Sequence, residues 1–391
     1  MLTVLGLGVR AICLSALALA TVVAVTLPAN AQLYQTKAKQ AFLVDYDTGT
    51  VLFEKNADEP FPPASMAKLM TLAVVFRAID EGRLSRDDEF VVSENAWRTG
   101  GAVSRTATMF AELGSSIRVV DLIRGAIVQS GNDSCIIMAE GMAGTEPAFV
   151  AIMNDEAEAL GLSNSRFGNS TGLAGTDQRV TARDLATLAD HLIRSYPDLY
   201  AIFSEPDFTW NNIFQKNRNP LVPMNIGADG LKTGFTEESG YGLTGSAVRD
   251  GQRLIVVVAG LESEKARAQE ARKLLDWGFR AFEPVELFGG GEVIADAKVF
   301  GGTQRSVNVV SDGPVELLLP VGLLDVVKAE IVYDGPVVAP VTAGQRVGVV
   351  SFTTIEGLSK AQPVLAAEDV GVGSLPQRAV DGLEELLFGW W

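Results

Sequence analysis

The sequence predicts a mixed α/β (α+β) domain, a small all-β domain behind it and an amphipathic helix at the C-terminus. Three observations carry this. Residues 33–288 mix helical and strand periodicity, residues 292–376 become Val- and Gly-rich in short runs, and "AVDGLEELLFGWW" returns to helical spacing. At 391 residues, 47% hydrophobic and 20% charged, the composition is globular and the length suits two domains with an appendage.

Residues 1–31 stand apart. Arg10 is their only charge, and "AICLSALALATVVAVTLPANA" is an apolar core ending in small residues. Ala29-Asn30-Ala31 fits a leader-cleavage site, so export is expected, with the mature chain starting near Gln32; an uncleaved signal anchor is the alternative. Cys13 leaves with the leader and Cys135 remains alone. No disulfide framework is then available, and stability must come from the core. The net charge of −16 lacks the basic stripe that nucleic acid requires.

The first domain is expected over 32–288. "QAFLVDYDTGTVLFEKNADE" is two alternating runs around Asp47-Thr48-Gly49, a hairpin signature. Residues 65–80 read as a buried helix, and 119–130 and 146–161 have helical spacing. Thr181 to Asp184 resembles a capping box opening another helix. "YGLTGSAVRDGQRLIVVVAGL" is strand, Asp250-Gly251 turn, strand. "ARKLLDWGFRAF" closes the domain as a helix, before a break at Glu283-Pro284 and Gly289-Gly290-Gly291. Residues 289–376 read as a β-rich sandwich domain, punctuated by Asp312-Gly313 and Asp334-Gly335. In 377–391, Val380, Leu383, Leu386, Leu387, Trp390 and Trp391 share one arc of a helical wheel, opposite Asp381, Glu384 and Glu385. That helix is too short to span a bilayer. It suits peripheral contact at a membrane interface, or packing on its own domain.

The chemistry concentrates in "PPASMAKLMT". Ser65 and Lys68 are three apart, so hydroxyl and amine share a face at the start of an apolar helix. A serine nucleophile needs a base, and lysine serves only if burial or a second cation depresses its pKa. The alternatives are poor. His191 is the only histidine and lies within a helical run, no G-x-S-x-G elbow occurs, and one His with one mature Cys serves zinc badly. No metal or cofactor is expected. Two further motifs follow. Ser130-Gly131-Asn132 closes an apolar helical run, although Ser93-Glu94-Asn95 and Ser306-Val307-Asn308 share the pattern. Lys232-Thr233-Gly234 is unique and enters the strand "LKTGFT", where the glycine permits close approach by a ligand.

In this order the three motifs form the set shared by penicillin-binding proteins and serine β-lactamases. Together with "SGNDSC", "SEPDFTWNNIFQKNRNPL", "DGLKTGFT" and "EARKLLDWGF", the chain resembles the low-molecular-mass D-alanyl-D-alanine carboxypeptidases of the penicillin-binding protein 5 and 6 type. The resemblance covers most of 33–288 and extends to the β domain and the terminal helix. It implies a penicillin-binding/β-lactamase-like fold with a five-stranded antiparallel sheet and flanking helices. It implies removal of terminal D-alanine from peptidoglycan pentapeptide stems, acylation by β-lactams, and a periplasmic position on the outer face of the cytoplasmic membrane.

By the same resemblance Ser65 is the acylated nucleophile, Lys68 its base, and Ser130 the relay to the leaving D-alanine. Asn132 binds the substrate backbone. Lys232 and Thr233 orient the terminal carboxylate, with Gly234 beside them. The N–H groups of Ser65 and Phe235 form the oxyanion hole. Arg218 matches an arginine near the carboxylate pocket; a plain surface arginine fits its sequence as well. Well-known members carry His where this chain has Phe235. A β-lactamase shares the motifs, but no Glu lies between Glu158 and Glu205 to deacylate the enzyme. A DD-endopeptidase and a non-catalytic β-lactam sensor are the remaining readings.

Overall fold

The computed structural model describes residues 34–321, 327–333, 336–354 and 359–388. The expected leader, the Asp334-Gly335 turn, Trp390 and Trp391 lie outside these residues, as do the side chains of the terminal wheel beyond Leu383.

The first hairpin pairs β1 (Gln40–Asp45) with β2 (Val51–Lys55), and Gly49 takes a φ of 69° in the connection. Helices α1 (Lys68–Asp80), α2 (Val119–Val128), α3 (Asn132–Ala143), α4 (Glu146–Ala159) and α5 (Ala182–Ser195) follow. Strands β3 (Ala228–Thr236), β4 (Gly240–Arg249) and β5 (Gln252–Leu261) then lead into α6 (Glu264–Ala281). The sheet order is β2-β1-β5-β4-β3, antiparallel at every step, which is the five-stranded sheet expected. Asp250 and Gly251, at φ 49° and 87°, make the tight β4–β5 turn that their sequence favours.

The run "LIVVVA" in β5 lacks alternation because both faces are covered. Leu254, Val256 and Val258 pack with Leu274 and Leu275 of α6. Ile255, Val257 and Ala259 pack with the cluster that contains Leu69, Leu72 and Phe76 of α1. Helix α1 is almost wholly buried, from Lys68 to Ala78 apart from Arg77.

The second domain starts earlier in the chain than the expected break. Glu283-Pro284 does not end an element; it lies in β6 (Phe282–Phe288), which pairs antiparallel with β9 (Val315–Pro320) as one two-stranded sheet of the sandwich. Pro284 is tolerated because β6 has no partner on its other side among the described residues. The facing sheet runs β11-β7-β8-β13-β12-β10. Its strands are β7 (Val293–Phe300), β8 (Ser306–Val310), β10 (Val327–Val332), β11 (Val337–Val338), β12 (Arg346–Thr354) and β13 (Ser359–Ala366). Val299, Val307, Val309, Leu317, Leu319, Val350 and Phe352 fill the space between. A single bridge, Ser359 to Val51, joins this sheet to the first.

Helix α7 (Leu375–Phe388) follows the sandwich. Asp381 accepts the Gly301 N–H at 2.9 Å, so this carboxylate turns toward the β domain. Leu375, Val380 and Leu383 are exposed.

Candidate active site

Three segments far apart in sequence meet at one edge of the sheet. The first is the turn before α1. Ala64 takes a φ of 50°, and Ala64–Ala67 form a 3₁₀ turn rather than the first turn of the expected helix. In that tighter winding, residues three apart nearly eclipse. The Lys68 Nζ accordingly donates to Ser65 Oγ at 3.0 Å. Lys68 is fully buried, and its other contacts are Asn132 Oδ1 at 2.7 Å and the Thr171 carbonyl at 2.5 Å.

The second segment links α2 to α3. Ser130 sits at φ 59°, a left-handed position that turns the chain sharply between the two helices. Asn132 follows at the start of α3, and its Nδ2 donates to Thr106 Oγ1 at 2.9 Å. Behind it Asp133 is fully buried and accepts from Thr108 Oγ1 at 2.6 Å, the Met109 N–H at 2.9 Å and the Ala111 N–H at 3.1 Å. These bonds pin the 106–111 segment that rims the cleft. Burial raises the Asp133 carboxyl pKa, and the hydrogen bonds oppose that rise.

Strand β3 supplies the third wall. The Lys232 Nζ donates to Ser130 Oγ at 2.8 Å, Thr233 is nearly buried, and Phe235 is 50% exposed. A Cβ at Gly234 would stand 2.9 Å from the Pro63 carbonyl. The close approach that this glycine permits is made by the serine turn, while Gly234 also lines the cleft. The loop after α4 completes the enclosure. Asn169 Oδ1 accepts from the Thr171 and Gly172 N–H groups and from Thr171 Oγ1, fixing the carbonyl that Lys68 meets.

The walls enclose a cleft of about 700 Å³, lined by Ser65, Ser130, Asn132, Thr233, Phe235 and Arg218 among others. Arg218 is exposed at its edge, with its N–H bonded to the Val128 carbonyl at 3.1 Å. Burial lowers the Lys68 pKa to about 8, and the charge of Arg218 pushes the same way. Lys232 is held well below its usual value, first by burial and then by repulsion from Lys68 and Arg218. Two buried ammonium groups in one site leave one amine free to be neutral near neutral pH.

Sequence reasoning missed Thr171, Tyr241, Glu264 and Arg267. Arg267, from the first turn of α6, lines the cleft, is almost fully buried, and leaves its Nε without a hydrogen-bond partner. Only burial distinguishes it from a surface arginine, so no pattern could have found it. Glu264 is the one carboxylate among the described lining residues. His191 lies elsewhere, its Nδ1 3.2 Å from Ser195 Oγ and its ring edge-on to Tyr196. Cys135 is fully buried, and burial lifts its thiol to about 12. Among the described residues no three His, Cys, Asp or Glu side chains gather as a metal site.

This chain can be set beside known proteins. A family profile described as D-alanyl-D-alanine carboxypeptidase matches residues 25–263, and one described as the C-terminal domain of penicillin-binding protein 5 matches residues 282–372. The chain is 38% identical over 357 residues to D-alanyl-D-alanine carboxypeptidase DacC of Escherichia coli (strain K12), spanning 90% of this chain and 89% of that one. Penicillin-binding protein 5 from Haemophilus influenzae superposes with a TM-score of 0.74 at 36% identity, over 86% of this chain and 98% of that one. Penicillin-binding protein D2 from Listeria monocytogenes, solved in an ampicillin-bound form, gives 0.55 at 30% identity, over 63% and 99%.

Proposed function

The chain belongs to the D-alanyl-D-alanine carboxypeptidase family and is a serine-type carboxypeptidase; from that premise we propose that it removes terminal D-alanine from peptidoglycan pentapeptide stems through an acyl-enzyme on Ser65. The observation that carries the residue assignment is the hydrogen bond from the fully buried Lys68 to Ser65, which lines the cleft.

Neutral Lys68 takes the Ser65 proton as Oγ attacks the penultimate D-alanine carbonyl. The developing oxyanion is held by the Ser65 and Phe235 N–H groups. Lys232 and Thr233, with Arg218 and Arg267 nearby, receive the terminal carboxylate. That anion favours the charged form of Lys232, whose charge in turn keeps Lys68 neutral. Ser130, bonded to Lys232, passes a proton to the departing amine. Asn132 orients both Lys68 and the peptide backbone. D-alanine leaves as its C–N bond breaks and the Ser65 ester forms; water then hydrolyses that ester, releasing the shortened stem peptide and restoring the Ser65 hydroxyl. A β-lactam acylates the same oxygen, and the absence of a glutamate from the 166–180 loop favours slow release of the penicilloyl group.

Two expected results follow from this chemistry. Mature protein incubated with a pentapeptide ending in D-Ala-D-Ala releases free D-alanine, and benzylpenicillin adds one penicilloyl mass at Ser65 that persists for minutes or longer. An adduct without D-alanine release would move the reading to an endopeptidase or sensor, and rapid turnover of benzylpenicillin to a β-lactamase. Second, the rate of acylation climbs roughly tenfold per pH unit below about 8 and levels above it, because only unprotonated Lys68 can act. A profile flat from pH 6 to 8 would remove Lys68 from the base role.

The substrate and the expected leader support a periplasmic site of action. The exposed Leu375, Val380 and Leu383 of α7 support peripheral contact with the outer face of the cytoplasmic membrane.

A further inference from the structure

One apolar surface in the cleft has no part in the chemistry above. Phe235 is the large hydrophobic side chain exposed there, at 50%, beside the nearly buried Lys232 and Thr233. Side chains two apart on a strand share a face, so Phe235 stands on the same side of β3 as Thr233, about 7 Å farther along. Tyr241 is its register partner on β4, and the two rings stack with centroids 4.2 Å apart and planes at 31°. A cross-strand aromatic pair of this kind is held in place before any ligand arrives. The Arg267 guanidinium carbon lies 5.6 Å from the Tyr241 ring centre. Its charge is also felt at Lys232. The cations that suit a carboxylate and the aromatic pair therefore occupy one end of the cleft.

We propose that Phe235 and Tyr241 form the wall of the subsite for the leaving residue's side chain, and that this wall admits terminal D-residues with alkyl groups larger than methyl. The inference rests on the carboxypeptidase reading and deepens it. A residue whose carboxylate is held by Thr233 and the arginines lays its side chain against the next group on that face of β3, which is Phe235. The ring face offers no polar atom that would be left unpaired by an alkyl group, so extra methylenes are desolvated against apolar surface. A histidine at this position would present a polar ring instead.

The test measures kcat/KM for release of the terminal residue from two peptides that differ only there, ending in D-Ala-D-Ala or D-Ala-D-Leu. The native enzyme is expected to process D-leucine at least as well as D-alanine. In Phe235→Ala and Phe235→His the D-Leu to D-Ala ratio falls about tenfold, the equivalent of losing contact with one or two methylenes. In Tyr241→Leu, which removes the stacking partner, the ratio falls by a smaller factor. Release of D-alanine without D-leucine by the native enzyme would overturn the subsite. So would a ratio that stays constant in all three variants. Failure to release either residue would instead overturn the carboxypeptidase reading itself.

Discussion

Lys68→Met is expected to lose about 10⁴-fold in the rate of acylation by benzylpenicillin while remaining folded. Methionine keeps most of the volume of the side chain but has neither base nor donor. Ser65, Asn132 and the Thr171 carbonyl all lose their shared partner. The stability change should run the other way. The folded-state pKa of Lys68 is depressed to about 8 from an ordinary 10.5, so between those values the unfolded chain binds the extra proton and stability rises with pH. Below about 8 the group is charged in both states and the fold carries the burial penalty, on the order of 3 kcal/mol. Removing the amine relieves that penalty at pH 7, offset by the three unpaired acceptors. The variant should therefore melt no lower than the native protein at pH 7, and the native protein should gain on it from pH 8 to 10. Thermal denaturation across that range with parallel acylation rates checks both signs. A Lys68→Met protein that acylates at the native rate would sink the base assignment.

The second large effect is expected from one methyl group. Gly172 has a φ of 81°, and a Cβ there would stand 1.8 Å from the Ala64 carbonyl oxygen and 3.0 Å from the Ser65 nitrogen. Backbone cannot yield as a flexible side chain does. The neighbouring Thr171 carbonyl is fixed by its bond to Lys68, and the loop by Asn169. Gly172→Ala must displace either the nucleophile turn or the carbonyl that orients the base. A displacement near 1 Å costs about 100-fold in acylation, in addition to roughly 1–2 kcal/mol of left-handed strain. Gly175→Ala is the matched comparison, in the same loop at φ 107° with nothing within 4 Å of the added methyl. It carries strain without the clash, so its melting temperature should fall while acylation stays within about threefold of native. Equal acylation rates for the two variants would show that contact with the serine turn has no kinetic consequence.

These two sites also mark what was legible in the sequence. Ser65, Lys68, Ser130, Asn132 and Lys232 announced themselves because their chemistry requires particular residue types at local spacings, and the structure brings them within hydrogen-bond reach. Gly172 could not be read the same way, and for Gly234 the motif showed a close approach but not that the Pro63 carbonyl makes it. Their importance lies in backbone from another segment, and sequence carries no trace of which carbonyl will arrive. Arg267 was hidden for a related reason, since an arginine at the start of an exposed-looking helix differs from its neighbours only by burial. The first hairpin, the Asp250-Gly251 turn and the continuous apolar run of β5 were plain, because turn chemistry and two-sided burial both leave local patterns. Glu283-Pro284 misled because proline usually ends an element; a strand without a second partner has no use for the missing N–H.

Cys135 has a consequence outside catalysis. It is the one thiol of the described residues, fully buried beside Lys68 and pushed up to about 12 by that burial. A disulfide reagent in solution meets it only when α3 separates from its neighbours, so the labelling rate is a stopwatch for opening of the domain. Because α3 also carries Asn132, the same clock runs on the site. A bound β-lactam that holds Asn132, Ser130 and Ser65 together should slow the clock in proportion to the stability it adds. Occupancy of the enzyme could thus be followed through a sulfur atom that never touches the drug.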